Sequence, residues 1–150
     1  MLNTAGTVWP LDDLYQPPHT HPAPSYGAGD IHSLFYEGLP WRGRPTRFFA
    51  YYGLPEHSGE DPVPGMVLVH GGGGKAFAEW VRMWNARGYA AIAMDWYGGV
   101  PEGETVDDRL HEWAPPRHPS FDRALDAPDE QWPYHGAAAV ILAHSFLRSR

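Results

Sequence analysis

The chain contains no cysteine. That excludes a disulfide framework and thiolate catalysis, and it suits a reducing compartment. A basic cluster is missing too: eleven Lys and Arg face eighteen Asp and Glu, for a net charge of −7. Nucleic acid and anionic membrane are poor partners for such a chain. No long hydrophobic run is present. The longest near-apolar stretch, Gly136 to Leu147, is interrupted by His144 and Ser145 and is too short to span a bilayer. The opening Met-Leu-Asn-Thr-Ala-Gly-Thr-Val-Trp-Pro has neither a basic n-region nor an apolar h-region, so no secretory signal is expected. The expectation is a soluble, cytoplasmic protein.

What is present argues for a packed globule with much irregular chain. Of 150 residues, 43% are hydrophobic, with seven Trp, eight Tyr and six Phe, but 16 are Pro and 17 Gly. This length suffices for one modest domain with a real core. Residues 1–29 carry Pro10, Pro17, Pro18, Pro22 and Pro24 without a sustained period, and read as an extended arm lying over a domain formed by residues 30–150. His19 and His21 have metal-ligand spacing, but no third ligand is near and no metal site is expected there. Ile31 to Glu37 and Thr46 to Tyr52, rich in aromatic and β-branched residues, flank Trp41-Arg-Gly-Arg-Pro45 and read as an antiparallel hairpin.

The chain is organised around Met66 to Trp96. Met66 to Val69 is a short apolar run of the kind a strand buried on both faces shows. His70 and Gly71 to Gly74 follow. Next comes a helix with Phe77, Trp80, Val81 and Trp84 on one face, ended by Gly88 as a left-handed C′ residue. Tyr89 to Met94 supplies a second apolar strand, closing on Asp95. The unit is β-α-β, and the right-handed crossover rule makes its strands parallel.

Four consecutive glycines between a buried strand and a helix carry an entropic cost, so they need a reason. A phosphate-binding P-loop fails, because Val69 stands where its first glycine belongs and Ala76 replaces the hydroxyl. A dinucleotide-binding Rossmann turn is met by Gly71, Gly73 and Ala76, with Asp95 at the end of the next strand. An oxyanion hole is met by His70 directly before the glycines. A tight turn without ligand is the plain alternative.

Downstream, Tyr97 to Gln131 is long, acidic and proline-containing, with a short helical turn expected near Thr105 to His111. Trp132 and Pro133 open a last helix. Its apolar stripe reads as Ala137, Val140, Ile141, His144 and Leu147, with Arg148 and Arg150 at the dipole's negative end. His144 and His135 read as packed, core-edge histidines.

The order hairpin, strand, His-Gly-Gly-Gly-Gly, helix, strand ending in Asp, long loop and helix resembles the N-terminal half of an α/β-hydrolase. The resemblance is to the acetyl xylan esterase and dienelactone hydrolase-like branch. It is carried by Tyr36-Glu-Gly-Leu-Pro-Trp-Arg-Gly-Arg-Pro-Thr-Arg47, Val69-His-Gly-Gly-Gly-Gly-Lys-Ala-Phe-Ala-Glu-Trp80 and Gly88-Tyr-Ala-Ala-Ile-Ala-Met-Asp95, and covers about residues 30 to 150. It implies a strand order of 31–37, 46–52, 89–94, 66–70, and serine-esterase chemistry on a carboxylic ester such as an acetylated carbohydrate, without a cofactor. The nucleophile elbow G-x-S-x-G is absent. Ser58 and Ser145 lack the flanking glycines, and Ala23-Pro-Ser-Tyr-Gly27 is the nearest imitation. No catalytic triad member is therefore expected in these residues. The resemblance makes Gly72 and Gly73 the oxyanion-hole donors, His70 a brace for their loop, and Trp96 and Tyr97 neighbours of the substrate pocket. It also implies that a second polypeptide segment, or self-association, completes the sheet. A Rossmann-like dinucleotide module and a non-catalytic half-fold acting through a partner chain are the alternatives.

Overall fold

The computed structural model describes residues 6–56, 59, 61–117 and 124–150. It is mixed α/β: a five-stranded sheet with helices on both faces. The strands are β1 (Thr20–Pro22), β2 (His32–Glu37), β3 (Arg47–Gly53), β4 (Gly65–Val69) and β5 (Ala90–Met94), and the helices α1 (Leu11–Leu14), α2 (Ala78–Asn85) and α3 (Trp132–Arg148). Spatial order is β1-β2-β3-β5-β4. All pairs are antiparallel except β4 with β5, which run parallel. The four strands expected from sequence thus take the expected order.

The hairpin β2–β3 is closed in part by an Arg42-Gly43 turn inside the Trp41–Arg44 bridge. Both central residues have positive φ, 51° and 72°, as a type I′ turn requires. At the crossover, α2 ends in a Schellman motif: the N–H of Tyr89 donates to Trp84 O and that of Gly88 to Asn85 O. Gly88 has φ 84°, the left-handed conformation expected of it.

Two apolar layers sandwich the sheet. Leu34, Tyr36, Phe48, Ala50, Ile92 and Met94 face α3, where Ala138, Ala139, Leu142 and Phe146 meet them. On the other face Phe49, Tyr51, Ala91 and Ala93 lie under Val81 and Ala78 of α2. The alternation Ala-Ala-Ile-Ala-Met in β5 places Ala91 and Ala93 under α2 and Ala90, Ile92 and Met94 under α3. The Tyr36 hydroxyl donates to Ala139 O at 3.0 Å and ties sheet to helix.

Several expectations are corrected. The proline-rich first segment is built into the domain rather than draped over it. β1 pairs with β2, Leu14 of α1 is buried, and Ser145 Oγ of α3 donates to Leu14 O at 2.7 Å. Prolines permit this because β1 is an edge strand, where a missing N–H is harmless. β4 is not buried on both faces, since it too is an edge and its residues are half-buried or exposed. The helix α3 is rotated from the expected stripe. His135, Ala138, Ala139, Leu142 and Phe146 point inward, while His144 is exposed and Val140 and Ile141 are half-buried. A helix apolar nearly all round offers no unique stripe to read. His135 is wholly buried and its Nε2 meets Asp129 O at 2.8 Å. Phe77 is the N-cap of α2 rather than part of it, and Trp80 and Trp84 are half-buried. Thr105 to His111 is a chain of turns, closed by reciprocal bonds between Thr105 and Asp108. Ser58 lies outside the described residues. Among the described residues, no helix is long and apolar enough to cross a membrane.

Candidate functional site

The carboxyl ends of the two parallel strands lie side by side, and each delivers one polar residue inward: His70 after β4, Asp95 after β5. Both are buried, at 3% and 1% exposure. His70 Nε2 is 3.4 Å from Asp95 Oδ1 and out of line for a hydrogen bond to it. His70 Nδ1 donates to Gly71 O at 2.9 Å, since a carbonyl can only accept. Asp95 Oδ1 accepts the N–H groups of Tyr97 (3.0 Å) and Gly99 (3.2 Å). Tyr97, 2% exposed, packs edge-on against His70 at 4.9 Å and stacks with Trp96. Trp132 meets both rings and donates its Nε1–H to Trp96 O. The burial that shields Tyr97 raises its hydroxyl pKa, with the Asp95 charge adding to the effect.

Above this base sits the glycine loop. The N–H of Gly74 donates to Gly71 O at 3.0 Å, closing a four-residue turn. Gly73, its third residue, has φ 72°, as a type II turn demands. Gly71, Gly72 and Gly73 are exposed. Among the described residues, the N–H groups of Gly72, Gly73 and Lys75 have no acceptor.

Each glycine can be asked why it is a glycine. A Cβ on Gly74 would lie 2.9 Å from His70 Cβ and Nδ1, so the packed imidazole excludes any side chain there. Gly73 is required by its φ. Gly71 and Gly72 have neither reason: a Cβ on either meets nothing within 4 Å, and neither has a left-handed φ. Among the described residues nothing demands a glycine at those two positions.

The loop is held from the other side by Arg109, which sequence reasoning missed. It lies in the long segment after β5, is 6% exposed, and its Nη2 donates to Gly74 O (2.7 Å) and Gly73 O (3.2 Å). The turn Gly98–Gly99 brings it back, with Val100 N–H bonded to Arg109 O at 2.8 Å. Lys75 Nζ donates to Pro101 O at 2.9 Å and fastens the loop's far end to the same segment.

The structure therefore brings His70, Gly72, Gly73, Trp96 and Tyr97 into one cluster. Within it Tyr97 lies beneath the loop, while Trp96 is half-buried at its side. The other serines weighed from sequence stand apart from it. Ser145 is buried against Leu14, and Ser25 lies exposed in the 3-10 turn Pro24–Tyr26. His21 pairs with Glu37 at 2.8 Å. Among the described residues no group of three or more His, Asp or Glu side chains is placed to hold a metal. A cavity of about 710 Å³ opens at the opposite end of β4, between Val63, Gly65, Val67, His144, Leu147 and Arg148. The glycine loop does not line it.

Comparison with models of known protein families, with curated proteins and with solved structures finds no match to this chain.

Proposed function

We propose that this chain is the oxyanion-loop half of a serine esterase of the α/β-hydrolase type, acting on a carboxylic ester such as an acetylated carbohydrate. The observation that carries the proposal is the pair Gly71 and Gly72, exposed glycines for which the described residues supply no steric or conformational cause. A residue kept without side chain and facing open space suits close approach by another molecule. The N–H groups beside it, on Gly72 and Gly73, are donors without acceptors. Two such donors fit the negative oxygen of a tetrahedral acyl intermediate, each commonly worth about 3 kcal/mol in the transition state. His70 and Asp95 brace the loop from beneath, and Trp96 and Tyr97 form its floor and flank. This chemistry needs no cofactor.

Topology supports the same reading. α2 covers one face and α3 the other, so a right-handed crossover leaving α3 delivers a parallel strand to the free edge of β4. That edge is ready to pair. Pro64 O accepts from Ala90 N, so Pro64, Met66 and Leu68 turn their backbone groups to β5, and Gly65, Val67 and Val69 turn theirs outward. The opposite edge, β1, is three residues long and ends in proline. One edge is blunted and the other bare. A nucleophile carried at the carboxyl end of the added strand would arrive beside the glycine loop, at the point where strand order reverses.

The dinucleotide alternative is less well supported. Its acid should face the crevice to hold a ribose hydroxyl. Asp95 is instead 1% exposed and turned onto its own backbone N–H groups. Moreover, β5 is flanked by antiparallel β3, where a dinucleotide fold continues with a parallel strand.

The test begins with the coding region beyond Arg150, searched for G-x-S-x-G, and with the polypeptide that joins both segments. A fluorophosphonate should label the serine of that motif, and p-nitrophenyl acetate should be hydrolysed. Gly72→Pro should keep the fold, since proline suits the second position of a type II turn, yet lose rate with the N–H. Wild-type turnover in the folded variant would remove the oxyanion role from Gly72. A burst of nitrophenol from residues 1–150 alone, with an acyl adduct on one serine, would refute the incomplete site. A joined polypeptide inert to both reagents would leave the non-catalytic half-fold as the better reading.

A further inference from the structure

We propose that Arg109 is the positioning residue of the glycine loop, the group that sorts its peptide dipoles so that carbonyls face one side and N–H donors the other. The inference rests on the oxyanion reading and names the residue that would set up that site.

The loop alone has little to define its orientation. Glycines populate both halves of backbone space about equally, so a Gly-Gly peptide can flip its carbonyl and N–H at small cost. A flipped peptide would aim a carbonyl oxygen at an oxyanion and repel it. Within the loop, the bond from Gly74 N–H to Gly71 O closes the turn and turns Gly73 O outward, but nothing in the turn holds Gly73 O there or orients Gly74 O.

Arg109 assigns two of them. One nitrogen, Nη2, takes both Gly73 O at 3.2 Å and Gly74 O at 2.7 Å. In a trans peptide the carbonyl and the following N–H point in opposite directions. Fixing Gly74 O therefore turns Lys75 N–H away from the guanidinium, and fixing Gly73 O holds Gly74 N–H inward on Gly71 O. Gly71 O is held in turn by Gly74 N–H and His70 Nδ1, so the peptide between Gly72 and Gly73 lies between two peptides of set orientation, in the turn whose third residue has φ 72°. A charged donor also makes these bonds stronger than neutral ones.

The arginine is placed for this task and for little else. It is 6% exposed, its Nε has no hydrogen-bond partner among the described residues, and no ion pair engages it there. Among the described residues its side-chain hydrogen bonds go to loop carbonyls alone. A Cβ on Gly99 would lie 3.2 Å from Arg109 Cβ and 3.0 Å from Asp95 Oδ2, so that glycine lets the arginine stem pass over the buried carboxylate. Arg109 and Asp95 thereby place opposite charges on the two sides of one loop. A lysine carries a compact ammonium on a flexible stem and lacks the planar guanidinium that fixes the direction of the two N–H bonds of Nη2.

Hydrogen exchange read by mass spectrometry tests this on the 150-residue chain, whatever its oligomeric state. In Arg109→Ala the one hydrogen-bonded amide within the peptide spanning Gly71 to Phe77, Gly74 N–H, should exchange at least about tenfold faster, with β5 and α3 unchanged. Millimolar methylguanidinium should slow it again, and Arg109→Lys should fall between. Native exchange in folded Arg109→Ala would overturn the proposal, as would faster exchange that spreads through β5 or that methylguanidinium does not reverse. Should Arg109→Ala not fold, Arg109→Lys decides alone: native exchange in its loop overturns the proposal, and faster exchange confined to the loop supports it. Failure of the oxyanion reading would appear elsewhere, as full turnover in Gly72→Pro, and would leave these exchange rates untouched.

Discussion

His70 and Asp95 face each other across two neighbouring parallel strands, 3.4 Å apart and almost without contact with solvent. The carboxylate holds the Tyr97–Gly99 turn by its N–H groups, and the imidazole holds Gly71 by its carbonyl. One buried pair thus fixes the loops after both strands. Asp95→Ala should lower unfolding free energy by about 3 kcal/mol, because it strips two buried N–H groups of their acceptor and leaves a cavity beside His70. Asp95→Asn, which keeps an acceptor, should cost less. Urea titration of both variants, with His70→Ala and the double mutant to close the cycle, measures the coupling. Simple additivity in that cycle would mean the two residues act separately.

The glycine loop should respond to alanine position by position. Gly72→Ala should leave stability unchanged or raise it by about 0.5 kcal/mol, because its Cβ meets open space. Gly73→Ala should cost about 1–2 kcal/mol for its positive φ. Gly74→Ala should cost more, about 2–3 kcal/mol, because its Cβ overlaps the His70 ring. Denaturant midpoints decide the ranking. A large loss at Gly72 would mean that the position is structural after all.

The bare edge of β4 should make the isolated chain associate. Its outward backbone groups belong to Gly65, Val67 and Val69, an uncharged run with Val69 38% exposed. Sedimentation at micromolar concentration should show dimers or larger species, and Val69→Lys should shift them toward monomer. A monodisperse monomer with cooperative unfolding would refute the idea that this edge awaits a strand.

Acid should weaken the fold in the histidine range. Burial lowers the pKa of both His111 and His135 below the ordinary 6.5. The unfolded chain therefore binds more protons than the folded one between the lowered values and 6.5, so stability falls as pH drops through that window. His135→Gln, which can still donate to Asp129 O, should flatten the pH dependence of unfolding measured by urea. An unchanged slope would assign it to other groups.

The elements legible in the sequence are those whose signals are local. The hairpin, the β4-α2-β5 unit and the stop at Gly88 each announce themselves by period or by turn residue, while the strand order comes only from what the hydrolase resemblance implies. What was not legible depends on partners distant in the chain. α1 and β1 are too short to show a period and exist because α3 and β2 receive them. The rotation of α3 was hidden by its small and apolar residues on nearly every side. In the site, the glycine run was conspicuous and His70 beside it was readable. Arg109, one of three arginines in the acidic segment 97–131, acquires its role only where the chain folds back over Asp95.

The bond between Ser145 and Leu14 joins positions 131 apart in the chain. Contacts of such separation slow folding, because the chain must lose the entropy of a very large loop before the contact rewards it. During synthesis, the first thirty residues leave the ribosome long before α3 exists to receive them. Until then Trp9, Leu11 and Leu14 have no cover from α3, and the segment is open to proteases and chaperones. The timing of maturation is thereby handed to the last helix described here, whose docking seals the first.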